Sequence, residues 1–310
     1  MAFLGTAHAH LPDHLDAVAR DPAARLAAVH GTPPWHTPVP GARIAASAAD
    51  ALCGADAAVL LSPTARHERD LALVVAAKVP FLSEKPLAPT AARTRCLVAL
   101  AASGTAPWTT AMFLRHAPAL HRLKALFTDG AFGRLASVNL EFTHPGLLDG
   151  AFCGPAAWMT RPEEGATGGF ADLALHLVDL LLWLDPDREP AARAARLLHH
   201  PACPVDVGGS ALLTWGGIPV TVRTSWTARP GTLRVSVEGS RATATVDRGT
   251  LTVTGEGTLL EHHPPPAARD ALTAFLARLR GAPGGGQPPT ADEIITSARI
   301  LDELARRAAT

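Results

Sequence analysis

Short apolar runs alternate with helix-like segments over the first hundred residues, and this alternation constrains the fold more than any other feature. The strand candidates are residues 1–5, 25–31, 42–47, 56–64 and 79–87. The helix candidates are residues 12–20, 65–78 and 90–103. Strands that alternate with helices of this length form βαβ units around a parallel sheet. Such a sheet binds ligands at the carboxyl ends of its strands.

The pattern changes after residue 115. A helix over 117–128, a strand over 134–144 and an apolar helix over 171–184 are followed by strand-like residues 208–254, which predict an antiparallel meander. Closing helices over 267–279 and 291–308 flank the loop "GAPGGGQPP". We therefore predict an α/β fold. Residues 1–115 form a Rossmann-type parallel-sheet domain, and residues 116–310 form an α+β domain with a large, mostly antiparallel open sheet.

Composition excludes several classes of protein. Lys+Arg and Asp+Glu both number 28, so the net charge of +0 offers no field that attracts nucleic acid or an anionic membrane. No apolar window is long enough for a membrane span, and the N-terminus lacks a signal-peptide pattern. We expect a cytoplasmic protein with no nucleic-acid or membrane partner. The four cysteines form no C-x-x-C pair, which predicts buried free thiols.

The stretch "GTAHAH" at residues 5–10 has two interpretations. As a dinucleotide-binding turn, Gly5 permits the tight bend and Ala7 permits close approach of a pyrophosphate, but His10 replaces the third glycine of G-x-G-x-x-G. As a metal site, His8, His10 and His14 would have to converge. A turn followed by a helix start does not place the first two on one face, and no nearby carboxylate or cysteine completes a ligand set. We favour the nucleotide turn and predict no metal site.

The stretch "SEKPLAPT" at residues 83–90 places Glu84 and Lys85 at the end of an apolar strand. One interpretation is a surface ion pair that merely ends the strand. Against it, lysine occurs only at positions 78, 85 and 124, whereas arginine is common. A lysine ammonium can change its pKa on burial and take part in proton transfer, which a guanidinium cannot do.

The helix "ADLALHLVDLLLWL" contains Asp172, His176 and Asp179 at spacings i, i+4 and i+7, a polar stripe on an otherwise apolar helix. Burying these groups is costly unless they pair or face a cavity. The simpler interpretation is one core histidine capped by an aspartate. The functional one is a histidine oriented by a carboxylate, which can act as a general acid or base near neutral pH.

Four stretches in this order, "SPTARH" (62–67), "SEKP" (83–86), "WMTRPEEGATGG" (158–169) and "GGFADLALHLVDLL" (168–181), resemble the Gfo/Idh/MocA family of oxidoreductases. The resemblance implies an NAD(P)-binding domain and a second domain whose sheet mediates homo-oligomerisation. It implies that Lys85, Asp172 and His176 are catalytic. His176 would act as base on a substrate hydroxyl, and Lys85 and Asp172 would hold and polarise that oxygen.

The resemblance also assigns residues to binding. It implies cofactor contacts from Gly5, Thr6, Ala7, His8, His10, His30, Ser62, Pro63, Thr64, His67, Glu84 and Lys85, and substrate contacts from Arg115, Trp158 and Arg161. The second strand ends in "AVHGTPPWH", where the acidic residue that binds the ribose 2′-hydroxyl is missing and no arginine replaces it. The sequence therefore leaves NAD and NADP both open as the cofactor.

The sequence thus predicts an NAD(P)-dependent enzyme that transfers hydride between nicotinamide and a secondary alcohol or ketone. The family favours a small sugar-, cyclitol- or metabolite-like substrate. Side-chain amides occur only at Asn139 and Gln287, and tyrosine is absent, so we expect a substrate with few free hydroxyls or an apolar portion. Two alternatives stay open: a redox-neutral enzyme that recycles tightly bound NAD, and a catalytically inactive NAD(P)-binding regulatory protein.

Overall fold

A computed structural model describes residues 1–31, 39, 41–282 and 286–309. Residues 32–38 and 40, which include the end of "AVHGTPPWH", and residues 283–285 of the "GAPGGGQPP" loop lie outside this part of the chain. The chain forms two compact units. Unit 1 comprises Met1–Met112, Gly150–Thr167 and Ala268–Ala291, and unit 2 comprises Phe113–Asp149, Gly168–Ala267 and Asp292–Thr310. The boundary predicted after residue 115 lies near the end of the first segment, but two later segments also belong to unit 1.

The described residues form strands and helices in an order close to the prediction. The strands are β1 (Ala2–Leu4), β2 (Ala28–His30), β3 (Arg43–Ile44), β4 (Ala58–Leu60), β5 (Phe81–Ser83), β6 (Trp108–Thr110), β7 (Leu135–Thr143), β8 (Pro190–His199), β9 (Asp206–Trp215), β10 (Ile218–Ser225), β11 (Thr232–Gly239), β12 (Thr243–Asp247), β13 (Thr250–Thr254) and β14 (Thr258–His262). The helices are α1 (Leu11–Arg20), α2 (Ala48–Leu52), α3 (His67–Ala77), α4 (Ala91–Ala102), α5 (Pro118–Thr128), α6 (Gly168–Leu184), α7 (Arg269–Leu279) and α8 (Ala291–Ala308). Strands β6, β8 and β14 and helix α2 were not predicted.

Unit 1 is built on a parallel sheet in the order β3-β2-β1-β4-β5-β6. The central strands β1, β4 and β5 are buried at every residue, as expected where helices cover both faces of a sheet. Strand order reverses between β1 and β4, and this topological switch point is where open α/β sheets bind ligands. The predicted Rossmann-type architecture is confirmed.

Unit 2 is built on a sheet in the order β14-β13-β12-β11-β7-β10-β9-β8. Its strands pair antiparallel except β7 with β10, which pair in parallel. The predicted large, mostly antiparallel open sheet is therefore confirmed, but the simple meander over 208–254 is wrong. Strand β7 lies between β10 and β11, a long-range pairing that local periodicity does not reveal.

Helix α6 lies against the sheet of unit 2 and is buried along almost its whole length. Glycine allows the close approach, since a Cβ at Gly169 would lie 2.6 Å from the carbonyl carbon of Val207. The backbone N–H of Phe170 donates to a carboxylate oxygen of Asp206 at 2.7 Å and so satisfies one of the first N–H groups of the helix. The glycines at the helix start explain why α6 begins before the predicted residue 171.

The structure bears on two predictions made from composition, namely the burial of the cysteines and the absence of a membrane span. Cys53, Cys96 and Cys153 are exposed and only Cys203 is buried, so the prediction of buried thiols is wrong for three of these four free cysteines. Cys53 ends α2, Cys96 lies on the outer face of α4 and Cys153 lies in a loop, where side chains face solvent. Among the described helices, none combines the length and apolar character that a bilayer crossing requires.

Candidate functional site

A crevice opens at the switch point of unit 1, between the turns that follow β1 and β4. Gly5 has a φ of +83°, and a Cβ there would lie 2.3 Å from the backbone nitrogen of Ser62, so only glycine fits. The crevice is lined by Gly5, His30, Gly31, Ser62, Pro63, Arg66, Arg69 and Asp70. The buried Ser62 hydroxyl has no hydrogen-bond partner among the described residues. A ligand that enters here would find an unused polar group, as the dinucleotide interpretation requires.

The "GTAHAH" turn is covered by the segment that contains Trp158. Thr6, Ala7 and His8 are all buried, and the Trp158 ring lies 5.7 Å from the His8 ring. The indole N–H of Trp158 donates to the Ala7 carbonyl at 3.1 Å. Trp158, predicted as a substrate residue, therefore holds the turn that follows β1.

Glu84 is the centre of a buried polar cluster, the Glu84 cluster, that also contains His8, His10, His14 and the backbone of Lys85. One carboxylate oxygen contacts His14 Nε2 at 2.7 Å and His10 Nδ1 at 3.1 Å, and the other accepts the Lys85 backbone N–H at 3.0 Å. Nε2 of His8 lies 3.8 Å from the carboxylate. The sequence argument that no carboxylate lies near these histidines is wrong, because Glu84 arrives from β5, 74 residues after His10.

The potential ligand atoms of His8, His10 and Glu84 lie within 4.8 Å of one another, close enough to raise the metal interpretation again. The protonation of His8 argues against it. The backbone N–H of His10 donates to Nδ1 of His8 at 3.1 Å, so a neutral His8 carries its proton on Nε2. Nε2 then presents an N–H toward Glu84, whereas a metal ion needs a lone pair. The geometry favours a hydrogen-bond network in which Glu84 contacts His10, His14 and the Lys85 backbone. Nε2 of His8, 3.8 Å from the carboxylate, has no hydrogen-bond partner among the described residues.

Burial and hydrogen bonding determine the pKa values in this cluster. Burial lowers the pKa of His8 to about 3, although Glu84 opposes the shift. Burial alone would raise the pKa of Glu84, but the surrounding histidines, with hydrogen bonds from His10 and His14, hold that pKa well below its usual 4.5. Glu84 is thus a buried carboxylate anion, and its predicted contact with a cofactor is at most indirect.

His67 joins the turn after β4 to the loop after β5. Its ring nitrogens lie 3.1 Å from the carbonyl oxygens of Ser62 and Leu87. Burial lowers the pKa of His67, although these carbonyl contacts oppose the shift. Both nitrogens face backbone carbonyls, and the neutral ring can donate to one of the two, so His67 shapes the crevice through the turns it contacts. Two other predicted site residues are also buried. Thr64 lies in the turn after β4, and Lys85, which follows β5, is only 2% exposed.

In unit 2, α6 carries Asp172 and His176, both buried. The indole N–H of Trp226 donates to Oδ2 of Asp172 at 3.0 Å and fixes that carboxylate. The ring centroid of Phe113 lies 4.6 Å from that of His176 in an edge-to-face arrangement. Sequence reasoning missed Trp226, which follows β10. The only available signal was a tryptophan directly after a strand.

Asp179, the third member of the polar stripe, pairs with Arg115. The Arg115 guanidinium donates to the two carboxylate oxygens of Asp179 at 2.7 and 2.8 Å and to Glu293 at 3.2 Å. Arg115 was predicted to contact substrate, but its guanidinium is 1% exposed and is committed to these two carboxylates. Its geometry is that of a residue that positions α6. Arg161, the other predicted substrate arginine, is exposed in unit 1.

Comparison with known proteins finds a family match in the middle of the chain. Residues 120–245 match the sequence profile of the GFO/IDH/MocA C-terminal domain. No curated protein matches the chain by sequence. Among solved structures, the fold is similar to an oxidoreductase domain protein from Kribbella flavida, with a TM-score of 0.81 at 18% identity over 99% of this chain and 96% of that one.

Two further similar structures contain a bound nucleotide. An oxidoreductase from Agrobacterium radiobacter, in complex with NAD+, L-tartaric acid and magnesium, has a TM-score of 0.79 at 17% identity, over 100% of this chain and 96% of that one. GenD2 from gentamicin A biosynthesis, in complex with NAD, has a TM-score of 0.77 at 22% identity, over 99% of this chain and 93% of that one. At these identities the likeness establishes the fold.

Proposed function

We propose that this chain, whose residues 120–245 match the GFO/IDH/MocA C-terminal domain, is an NAD(P)-dependent oxidoreductase of the Gfo/Idh/MocA family. The proposed reaction is hydride transfer between nicotinamide and a secondary alcohol or ketone carbon of a small sugar-, cyclitol- or metabolite-like substrate. The observation that carries the proposal is the glycine-walled crevice at the β1/β4 switch point, where a doubly wound sheet binds a dinucleotide.

The residues around this crevice fit a dinucleotide. Gly5 leaves room for the close passage of backbone, and the unpartnered Ser62 hydroxyl offers a hydrogen bond. His30 and Pro63 form further parts of the wall. When bound, the nicotinamide cofactor supplies the carbon that accepts or gives up the hydride. The protein supplies position and proton transfer.

The proposed catalytic roles fall to three buried groups. His176 takes the proton of the substrate hydroxyl during oxidation and returns it during reduction. Asp172, fixed by Trp226, and Lys85 hold and polarise substrate oxygen. Lys85 is 2% exposed, and a cation removed from water interacts more strongly with developing negative charge than a hydrated one does.

The first test is calorimetric titration of the purified protein with NAD+, NADH, NADP+ and NADPH. Binding of one pair, or release of tightly held nucleotide on denaturation, supports the proposal. Release of nucleotide without net oxidation or reduction of any substrate would favour the redox-neutral alternative. If no nucleotide is bound or released, the proposed function is wrong.

The second test separates catalysis from binding. We expect His176→Asn to lower kcat by about 10²–10⁴-fold, the contribution typical of a general acid–base, while nucleotide affinity stays the same. His262→Asn, an exposed histidine of β14, is the matched control and should leave kcat unchanged. A substrate panel should pair plain polyols with alcohols that have fewer hydroxyls. Nucleotide binding with no turnover of any substrate would favour the inactive regulatory protein.

We also propose that unit 2 forms a homo-oligomer through its sheet. One face carries exposed Thr221, Arg223 and Leu212, beside Asn139 and Glu141 on β7. Leu212 is 43% exposed, and the polar groups around it are already paired, Arg223 with Glu141 and Thr221 with Asn139. Sedimentation should therefore give a mass above that of one chain, and Leu212→Glu should reduce it. A wild-type protein that sediments as a monomer would contradict the proposal.

A further inference from the structure

Two arginines approach the crevice from a part of the chain that sequence reasoning did not associate with it. Arg66 immediately precedes α3 and Arg69 lies in its first turn, and both line the crevice beside His30 and Gly31 at the end of β2. The local sequence at the end of β2 offers no arginine in place of the missing acidic residue. The turn after β4 brings these guanidinium groups to the neighbouring strand end.

We propose that Arg69, assisted by Arg66, binds the 2′-phosphate of NADP(H), so that the protein prefers NADP(H) to NAD(H). The inference rests on the proposed oxidoreductase function and specifies its cofactor. In a doubly wound fold, an acidic residue after the second strand binds the ribose hydroxyl and repels a 2′-phosphate. Here the strand ends in His30 and Gly31, so that repulsion is absent. A guanidinium offers a planar pair of N–H donors that match phosphate oxygens.

The two arginines differ in whether a carboxylate already lies close to the guanidinium. Nε of Arg66 lies 4.0 Å from a carboxylate oxygen of Glu164. Arg69 is exposed and forms no ion pair with any carboxylate of the described residues. An incoming phosphate would therefore interact with Arg69 without breaking an existing pair, which makes Arg69 the stronger determinant of specificity.

Among the described residues that line the crevice, only the Asp70 carboxylate favours NAD(H) over NADP(H). It lines the same wall and is 8% exposed, and its carboxylate could accept a ribose hydroxyl. Among the residues that line the crevice, two arginines outnumber one carboxylate. Glu164 offsets part of the charge of Arg66, and Arg69 supplies the remaining positive balance. This positive balance favours binding of the 2′-phosphate. Asp70→Asn removes the group that favours NAD(H) and is therefore included in the test.

The test compares the affinities of NADPH and NADH by calorimetry for four proteins: wild type, Arg69→Ala, Asp70→Asn and Arg95→Ala. Arg95 is an exposed arginine of α4 outside the crevice and serves as the matched control. We expect wild type to bind NADPH at least about tenfold more tightly than NADH, the effect of one or two charge-assisted hydrogen bonds. Arg69→Ala should lose about tenfold in NADPH affinity and less than about twofold in NADH affinity.

Ionic strength gives a second readout that a purely structural role of Arg69 would not change. The NADPH preference should shrink as salt rises in wild type and be nearly independent of salt in Arg69→Ala, because exposed charge pairs are screened. Equal affinities, or a preference for NADH that Asp70→Asn abolishes, would overturn the inference and leave the oxidoreductase proposal standing. Failure of both nucleotides to bind, with none released on denaturation, would overturn the proposed function itself.

Discussion

The two units bury a carboxylate in opposite ways. In unit 1, Glu84 is fully buried and is surrounded by His8, His10 and His14. In unit 2, Asp179 is equally buried and is held by the two-pronged guanidinium of Arg115. Both arrangements give the carboxylate oxygens hydrogen-bond partners. They differ in the partner, since a histidine changes charge near neutral pH and an arginine does not.

This difference determines how each unit should respond to acid. Burial lowers the pKa of Arg115, but Asp179 and Glu293 more than offset this and leave it raised, so the guanidinium stays charged at every accessible pH. The Glu84 cluster contains groups whose pKa values lie below their ordinary ones. We therefore expect acid to destabilise the Glu84 cluster through His8. Burial raises the pKa of Asp179, although Arg115 opposes the shift, so protonation of that carboxylate in acid should not destabilise the folded protein.

The largest expected effect is loss of stability in acid. His8 has a pKa of about 3 in the folded protein against 6.5 ordinarily, so between these values the unfolded chain takes up a proton that the folded protein does not. Stability is complete above pH 6.5 and falls as the pH decreases toward 3, by up to about 5 kcal/mol for this group. Urea unfolding across this range measures it. His8→Gln should flatten the slope, and an unchanged slope would contradict the assignment.

The next effect comes from breaking the pair in unit 2. Arg115→Met leaves Asp179 buried without its cation and should cost about 4 kcal/mol in the free energy of unfolding. Arg229→Met is the control, because it breaks an exposed pair with Asp149 and should cost less than about 1 kcal/mol. Denaturant titrations of both variants at neutral pH measure the difference. Equal stabilities would show that burial does not distinguish the two pairs.

A third change addresses Glu84 directly. Glu84→Gln preserves the shape but removes the charge and replaces one of the two acceptor oxygens by an NH2 donor. The amide therefore cannot accept from both the histidines and the Lys85 N–H, which should cost about 3 kcal/mol. Glu68→Gln, at an exposed pair with Arg93, should cost much less. Thermal unfolding at neutral pH tests both. A Glu84→Gln protein as stable as wild type would show that the carboxylate charge is dispensable.

The smallest expected effect concerns the carboxylate of Asp172. Trp226→Phe removes one hydrogen bond to a charged group and should cost about 1.5 kcal/mol. Trp215→Phe is a close control, because Trp215 is also buried but its indole N–H has no partner among the described residues. Equal losses of unfolding free energy in the two variants would indicate that ring packing, and not the hydrogen bond, explains the role of Trp226.

The sequence predicted those parts of the fold that depend on local periodicity. The apolar runs that became β1, β4 and β5 and the long helix α6 were placed within a few residues of their positions. The polar stripe of α6 was found because buried charge on an apolar helix is costly. Its partners were not found. Arg115 and Trp226 lie 64 and 54 residues from the groups they bind, and no spacing rule connects them.

The sequence by itself determined the class of each unit and the residue types available for chemistry, because strand and helix patterns and the cost of burying charge can be judged over short stretches. Only the tertiary structure decided what those residues do. Glu84 converted a histidine run that suggested metal binding into a hydrogen-bond network, and the turn after β4 brought two arginines to a strand end that lacked one. Chain folding brings distant residues together, and hydrogen bonds and charge interactions depend on distance in space.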